Sequence, residues 1–147
     1  MLRDPDVMSA WEHTFSDAQV YQWIDSQLSR YEKDGVGYFA ATRKSDGAFV
    51  GQMGLMWNKI GESRVLEVGY MLKRGYQGMG YATEGASALM RHAFTAMGAE
   101  KLYATIRPAN VESIRVAERI GMNAEGGFIK RYNETDMEHI IYSIKRN

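Results

Sequence analysis

Leu66-Glu67-Val68-Gly69-Tyr70-Met71-Leu72-Lys73-Arg74-Gly75-Tyr76-Gln77-Gly78-Met79-Gly80-Tyr81-Ala82-Thr83-Glu84 is the stretch on which the reading of this chain turns. An apolar run ends in Lys73 and Arg74, glycines recur at 75, 78 and 80, and a helical period then runs to Met97. Ala82, Ala86, Leu89, Met90, Ala93 and Met97 share one face of that helix, and the alanines allow close packing on a sheet. The order is strand, glycine-rich turn, helix. Free N–H groups at a helix N-terminus, approached closely because glycine lacks a Cβ, can hold a phosphate oxygen with help from the helix dipole. Glycine spacing alone leaves two readings, a site for a phosphorylated ligand or a tight turn onto a packed helix. Thr83 in the first turn suits an anion or a free backbone group, and Glu84 is expected to point outward or to cap.

Toward the N-terminus, Arg64 to Lys73 reads as the third strand of a meander. Val36 to Arg43 and Phe49 to Trp57 precede it, joined by Lys44-Ser45-Asp46-Gly47, whose Asp-Gly pair suits a hairpin. Residues 58–63 look like a turn. Two helices are expected before these strands. A short one starts at Asp4-Pro5-Asp6 with Val7, Met8 and Trp11 on one side. A longer one is capped by Ser16-Asp17, carries Val20, Trp23, Ile24 and Leu28, and stops at Gly35.

Glu67 is out of character in its strand, where Leu66, Val68, Tyr70, Met71 and Leu72 are apolar on both faces. A carboxylate there needs a wet cleft or a partner. Facing a cleft, it would accept a proton from an incoming amine. The other reading is a rim carboxylate paired with Arg64 or another basic residue.

Toward the C-terminus, Lys101 to Ile106 is a short strand, parallel to the third strand through a right-handed crossover. Pro108 interrupts, Asn110 caps, and Ile114, Ala117 and Ile120 mark a helix ending at Gly121. Asn110 and Ser113 either cap that helix or present an amide and a hydroxyl to a ligand between the parallel strands. Ala124 to Tyr132 and Glu138 to Ile144 close the chain as a hairpin. The fold class is α/β, order ααβββαβαββ, with a mixed, mostly antiparallel sheet flanked by helices. A dinucleotide-binding fold would repeat βα units from its start, and no G-x-x-x-x-G-K-[ST] occurs.

The 147 residues suit one domain, 1–147, that buries about two-thirds of its unfolded surface. Eighteen basic residues balance eighteen acidic ones, so total charge favours neither nucleic acid nor an anionic membrane. Cysteine is absent, which excludes a thiol nucleophile, and the three histidines, at 13, 92 and 139, lack metal-ligand spacing, so no metal is expected. With no long apolar segment and no signal-peptide pattern, a cytoplasmic protein is the default.

Two motifs then identify a family. Tyr76-Gln77-Gly78-Met79-Gly80-Tyr81-Ala82-Thr83-Glu84 and, further on, Asn110-Val111-Glu112-Ser113-Ile114-Arg115-Val116-Ala117-Glu118-Arg119-Ile120-Gly121-Met122 resemble the signatures of the GNAT acetyl-coenzyme A-dependent N-acyltransferases. The resemblance is to the branch related to ribosomal-protein N-terminal acetyltransferases, and it covers nearly the whole chain. Gly75 stands where the superfamily usually has glutamine or arginine, and no counterpart of the usual first strand precedes the early helices, so either that strand is absent or this sequence starts downstream of the true start. That loss would leave strand 36–43 with an unpaired edge, a surface for homodimerisation or strand exchange.

The resemblance implies coenzyme A as cofactor. Its pyrophosphate would lie over the backbone of Gln77, Gly78, Met79, Gly80, Tyr81 and Ala82, with Thr83 nearby. Its pantetheine arm would run between the parallel strands, beside the backbone of Met71 and Leu72, and Asn110 would contact it. Lys73 and Arg74 either meet phosphate or mark an exposed strand end. The amine attacks the acetyl thioester directly, with Glu67 as base and a backbone N–H at the end of the third strand for the developing oxyanion. Ser113 occupies the position of a serine that protonates the departing thiolate, which could also leave unassisted or with Ser113 only capping its helix. Trp57 and Tyr132 are candidate acceptor contacts or packing residues. The early helices, loop 58–63 and the terminal hairpin would choose the acceptor. A peptide or protein N-terminus is the favoured acceptor. The alternatives are a small amine, polyamine, amino acid or aminoglycoside, or a coenzyme A-binding module without turnover.

Overall fold

The computed structural model describes residues 1–4, 8, 14–132 and 135–147. The short helix expected from Asp4 lies outside these, apart from Asp4 and Met8; Met8 is buried with Leu2 and Met71. From there the order is α1 (Asp17–Asp34), β1 (Tyr38–Thr42), β2 (Phe49–Ile60), β3 (Ser63–Leu72), a 3-10 turn (Arg74–Tyr76), α2 (Tyr81–Thr95), β4 (Lys101–Ile106), α3 (Val111–Arg119), β5 (Asn123–Tyr132) and β6 (Thr135–Lys145).

Local chemistry explains the boundaries of α1. The Ser16 side chain accepts from the Gln19 N–H while the Gln19 side chain accepts from the Ser16 N–H, and Gly35 ends the helix at φ 74°. One expectation fails at β2. The segment 58–63 is no loop: β2 runs to Ile60, Ile60 pairs with Ser63, and Gly61 at φ 60° turns the chain within two residues. The amide of Asn58 and its neighbours therefore sit on a rigid strand.

The strands form one sheet in the order β1-β2-β3-β4-β6-β5. Only β3 and β4 pair in parallel; all other neighbours are antiparallel, and β1 is an edge. Side chains alternate across the sheet, and the register fixes which residues share a face. Leu55, Leu66, Val68, Leu102, Ala104, Ile106 and Tyr142 join Ala86 and Ala93 of α2 and Val116 and Ala117 of α3 in the main core. Gly85 lets α2 settle on β2, since a Cβ there would overlap the Met53 sulfur. Burying each large aliphatic side chain in this layer contributes about 1.5–3 kcal/mol.

The opposite face carries Gln52, Glu67, His139 and Ser143, and α1 covers its β1–β3 end. Trp23 Nε1 donates to Gln52 Oε1 (2.8 Å), Gln27 Oε1 accepts from the Tyr38 N–H (2.8 Å), and the Tyr31 hydroxyl donates to the Tyr38 carbonyl. All five buried polar or charged side chains among the described residues, these four and Gln27, belong to this side.

Candidate active site

β3 and β4 share a single register pair, Glu67 with Tyr103, whereas β4 stays paired with β6 as far as Ile106. Beyond Glu67 the two parallel strands diverge. The gap opens into a cleft of about 240 Å³ with residues 68–71 on one side and 104–107 on the other. The Lys73 N–H donates to the Val50 carbonyl (2.8 Å). By alternation along the antiparallel ladder, Met71 and Gly69 also direct their backbone groups to β2, while Val68, Tyr70 and Leu72 turn theirs toward the gap. Of these, the Leu72 carbonyl already accepts from Gln77 Nε2 (3.2 Å).

Glu67 is 7% exposed and lines the cleft. One carboxylate oxygen accepts from Asn58 Nδ2 and the other from Thr105 Oγ1, both at 2.6 Å. Arg30 of α1 donates to Asn58 Oδ1 (3.1 Å) and to the Trp57 carbonyl (3.1 Å), so the helix braces the amide that braces the carboxylate. Arg64, the rim partner weighed from sequence, instead pairs with Asp34 (3.3 Å). Each oxygen of Glu67 keeps a further lone pair for a proton.

The glycine turn follows β3 directly. Gly78 and Gly80 have φ of 79° and 84°, and a Cβ on either would meet nothing within 4 Å. This conformation suits glycine and leaves the start of α2 open. Behind it, the Thr83 hydroxyl oxygen is buried without a hydrogen-bond partner. The Lys73 ammonium lies 5.6 Å from the Phe49 ring centroid and 5.8 Å from that of Tyr76, and Arg74 is paired with Asp4 at 3.2 Å.

On the far side of the gap, Asn110 Oδ1 accepts from the Ser113 N–H (3.3 Å) as the cap of α3. The Tyr70 hydroxyl donates to the Ser113 carbonyl (2.7 Å), tying β3 to α3 across the cleft that Asn110 and Ser113 both line. Burial pushes the Tyr70 phenol well above its ordinary range, so it stays a donor.

A family profile described as an acetyltransferase (GNAT) domain matches residues 1–123. The chain belongs to the GNAT acetyltransferases. YkkB of Bacillus subtilis is 37% identical over 123 residues, spanning 84% of this chain and 72% of YkkB. An acetyltransferase from Agrobacterium tumefaciens has the same fold, with TM-score 0.81 and 24% identity over 99% of this chain and 81% of the other. A GNAT-family acetyltransferase from Bacillus anthracis gives TM-score 0.79 and 26% identity over 98% and 84%. The reaction is therefore acetyl transfer from acetyl-coenzyme A. The open glycine turn and the unpartnered Thr83 hydroxyl fit that donor, because a buried hydroxyl without a partner costs roughly 1–3 kcal/mol until one arrives.

This GNAT domain departs from the sequence expectations at the acceptor side. Trp57 is not in the cleft. Alternation along β2 sends Met56 and Asn58 to the Glu67 face and Trp57 to the other, where it packs against the main core with Arg64 4.4 Å above its ring. The side chain of Tyr132 lies outside the described residues. Conversely, Arg30, Tyr38, Thr105, Arg107, Lys130 and His139 line the cleft and were not singled out. Tyr38 is sandwiched between Trp23 (5.3 Å between centroids) and Gly69, where a Cβ would overlap its hydroxyl. Burial and then the Glu67 charge raise its pKa, with Arg30 opposing. The sequence signal for His139 was of the same kind as for Glu67, a titratable residue inside an apolar alternating strand.

Among the described residues, no helix is long and apolar enough to cross a membrane, and no group of three or more His, Asp or Glu could hold a metal ion.

Proposed function

We propose that this GNAT acetyltransferase acts on the primary amine at a peptide or protein N-terminus, within the branch related to ribosomal-protein N-terminal acetyltransferases. The observation that carries the reading is a sheet opened between β3 and β4, with Glu67 on one face of the opening and Ser113 at the other. The bound donor supplies an activated acetyl thioester. The residues of the chain do the rest. Main-chain N–H groups at the Gln77–Ala82 turn, with Thr83 behind them, hold the diphosphate. Tyr70 and the Val68 carbonyl offer strand-like hydrogen bonds to the pantetheine arm in the gap, in place of Met71, whose backbone faces β2. The Asn110 side-chain amide, its oxygen already capping α3, offers N–H donors to the same arm.

Glu67 takes a proton from the acceptor ammonium, an α-amino group having an ordinary pKa of about 7.7–8.0. Asn58 and Thr105 fix its position and compete for its electron density. Ser113 gives a proton toward the departing sulfur. Lys73 and Arg74, engaged with rings and with Asp4, bear on phosphate only if they exchange those partners.

The charge of the cleft separates the acceptor classes. Among its described lining residues, Glu67 is the one carboxylate, and Arg30 and Lys130 also line it. A polyamine or aminoglycoside, which carries several positive charges, is met more weakly by such a surface than a single N-terminal amine. The test is a screen of spermidine, an aminoglycoside, free amino acids and hexapeptides with varied first residues, read by free thiol and product mass. Acetylated peptide supports the reading, and acetylation confined to spermidine or the aminoglycoside overturns it.

A further inference from the structure

Acetylating an ammonium removes two protons from one nitrogen, and Glu67 accounts for the first. We propose that His139 accepts the second through Nε2, working beside Glu67 on the same face of the sheet. This inference rests on the reading that the amine arrives on the Glu67 face.

Register puts the two groups on one face of the sheet, bordering one cleft. Glu67 pairs with Tyr103, Tyr103 with Ser143, and residues two apart on β6 share a face, so His139 points to the side of Glu67 and Thr105. His139 is 9% exposed and lines the same cleft. Its Nδ1 lies 3.1 Å from the Met137 carbonyl oxygen. A carbonyl only accepts, so in the neutral ring Nδ1 carries the hydrogen and Nε2 keeps its lone pair. Among the described residues no hydrogen bond engages Nε2, and the Phe128 ring 5.6 Å away leans on the imidazole without offering a donor.

The surroundings keep the ring uncharged at rest. Burial, then Lys130 from β5 and Arg107 after β4, hold its pKa below the ordinary value, against the pull of Met137 and of Glu67 from β3. Arg30 of α1 and Tyr38 of β1 also border the cleft. A neutral imidazole can take a proton when one is released.

The accounting is complete without another reactant. Glu67 takes one proton from the ammonium, and the free amine forms the C–N bond as the carbonyl π pair moves onto oxygen. The nitrogen now carries a positive charge; its N–H bond breaks, the electron pair stays on nitrogen and the proton passes to Nε2. The oxygen pair re-forms the carbonyl as the C–S bond breaks with its pair on sulfur; sulfur takes the Ser113 proton, Ser113 regains one from water, and Glu67 and His139 return their two protons to water. One proton reaches sulfur for each two removed, so one is released net.

Two measurements test this. The first compares wild type with His139→Asn, using hexapeptides with free N-terminal alanine or serine, and spermidine, as acceptors. His139→Asn is expected to lower kcat tenfold or more with coenzyme A affinity unchanged by calorimetry. The wild-type fall in kcat/KM below about pH 6.5 is expected to lose its His139 component. Unchanged kcat and an unchanged acid limb overturn the proposal while leaving the transferase reading intact. The second is nitrogen NMR of histidine-labelled protein, which needs no acceptor. The expected state at pH 7 is a neutral ring protonated on Nδ1, and an Nε2–H tautomer or a charged ring overturns the proposal. Failure of wild type to acetylate any of the three probes counts against the acceptor reading alone, and the NMR result still decides the state of His139.

Discussion

The two faces of the sheet are made from alternate residues of the same strands, and they differ in what burial is for. Leu66 and Glu67 are neighbours in sequence, are almost equally hidden, and point in opposite directions. The Leu66 face is closed by α2 and α3 into a continuous apolar core. The Glu67 face is closed only in part, by α1 and the small Leu2–Met8–Met71 cluster, and its buried polar groups are amide, carboxylate, imidazole and hydroxyl, with Glu67 and Ser143 paired across strands. Apolar burial there would have added stability. The polar residues instead line an oriented cleft beside the place where β3 and β4 part. The larger apolar core lies on one face and the polar cleft on the other.

Substitutions on each face test that division. Glu67→Gln should lower kcat by about 10²–10⁴-fold with little change in melting temperature, as expected for removal of a general base. If its main effect is on stability, the faces are not divided as described. Leu66→Ala should do the reverse, costing about 2–5 kcal/mol by urea titration, while the fraction that remains folded keeps normal turnover. Gly80→Val, which places a branched side chain at φ 84° in the open turn, should weaken coenzyme A binding about tenfold or more by calorimetry, strain of about 1–3 kcal/mol being felt there. Ser113→Ala should lower kcat by about tenfold without changing donor affinity; no change would leave Ser113 as part of the α3 cap alone.

The smallest effect is a slope. His139 is held below its ordinary pKa in the folded chain, so the unfolded chain binds more protons at that site as acid is added. Its contribution to stability is full above about pH 6.5 and is lost as pH falls through the folded value. Urea titrations at several pH values should show this loss in wild type and less of it in His139→Asn.

Much of this was readable along the chain because strands and helices print their periods locally. The glycine turn, the Ser16 cap, the Gly35 stop and the parallel pair around α2 were all legible, and so was the discomfort of Glu67 among apolar neighbours. Of its two sequence readings Trp57 takes the packing one, a choice periodicity left open because it says that Met56 and Trp57 face opposite ways without saying which way holds the cleft. Residues 58–63 read as a loop because Asn, Lys and Gly look like turn chemistry, yet cross-strand pairing carried Asn58 to Ile60 into β2 and left two residues to turn. His139 was passed over because no local pattern joins it to Glu67. They come to share a face only after β6 returns beside β4.

Sequence by itself determined the elements, their order and the open turn before α2, since capping, glycine conformation and side-chain period are properties of neighbouring residues. Tertiary structure alone decided that β3 and β4 separate after one shared pair, that Asn58 and Thr105 hold Glu67 between them, and that an imidazole from the far end of the chain lies on the same face. Those are consequences of strand order and register, which depend on residues distant in sequence and are fixed only when the sheet is assembled.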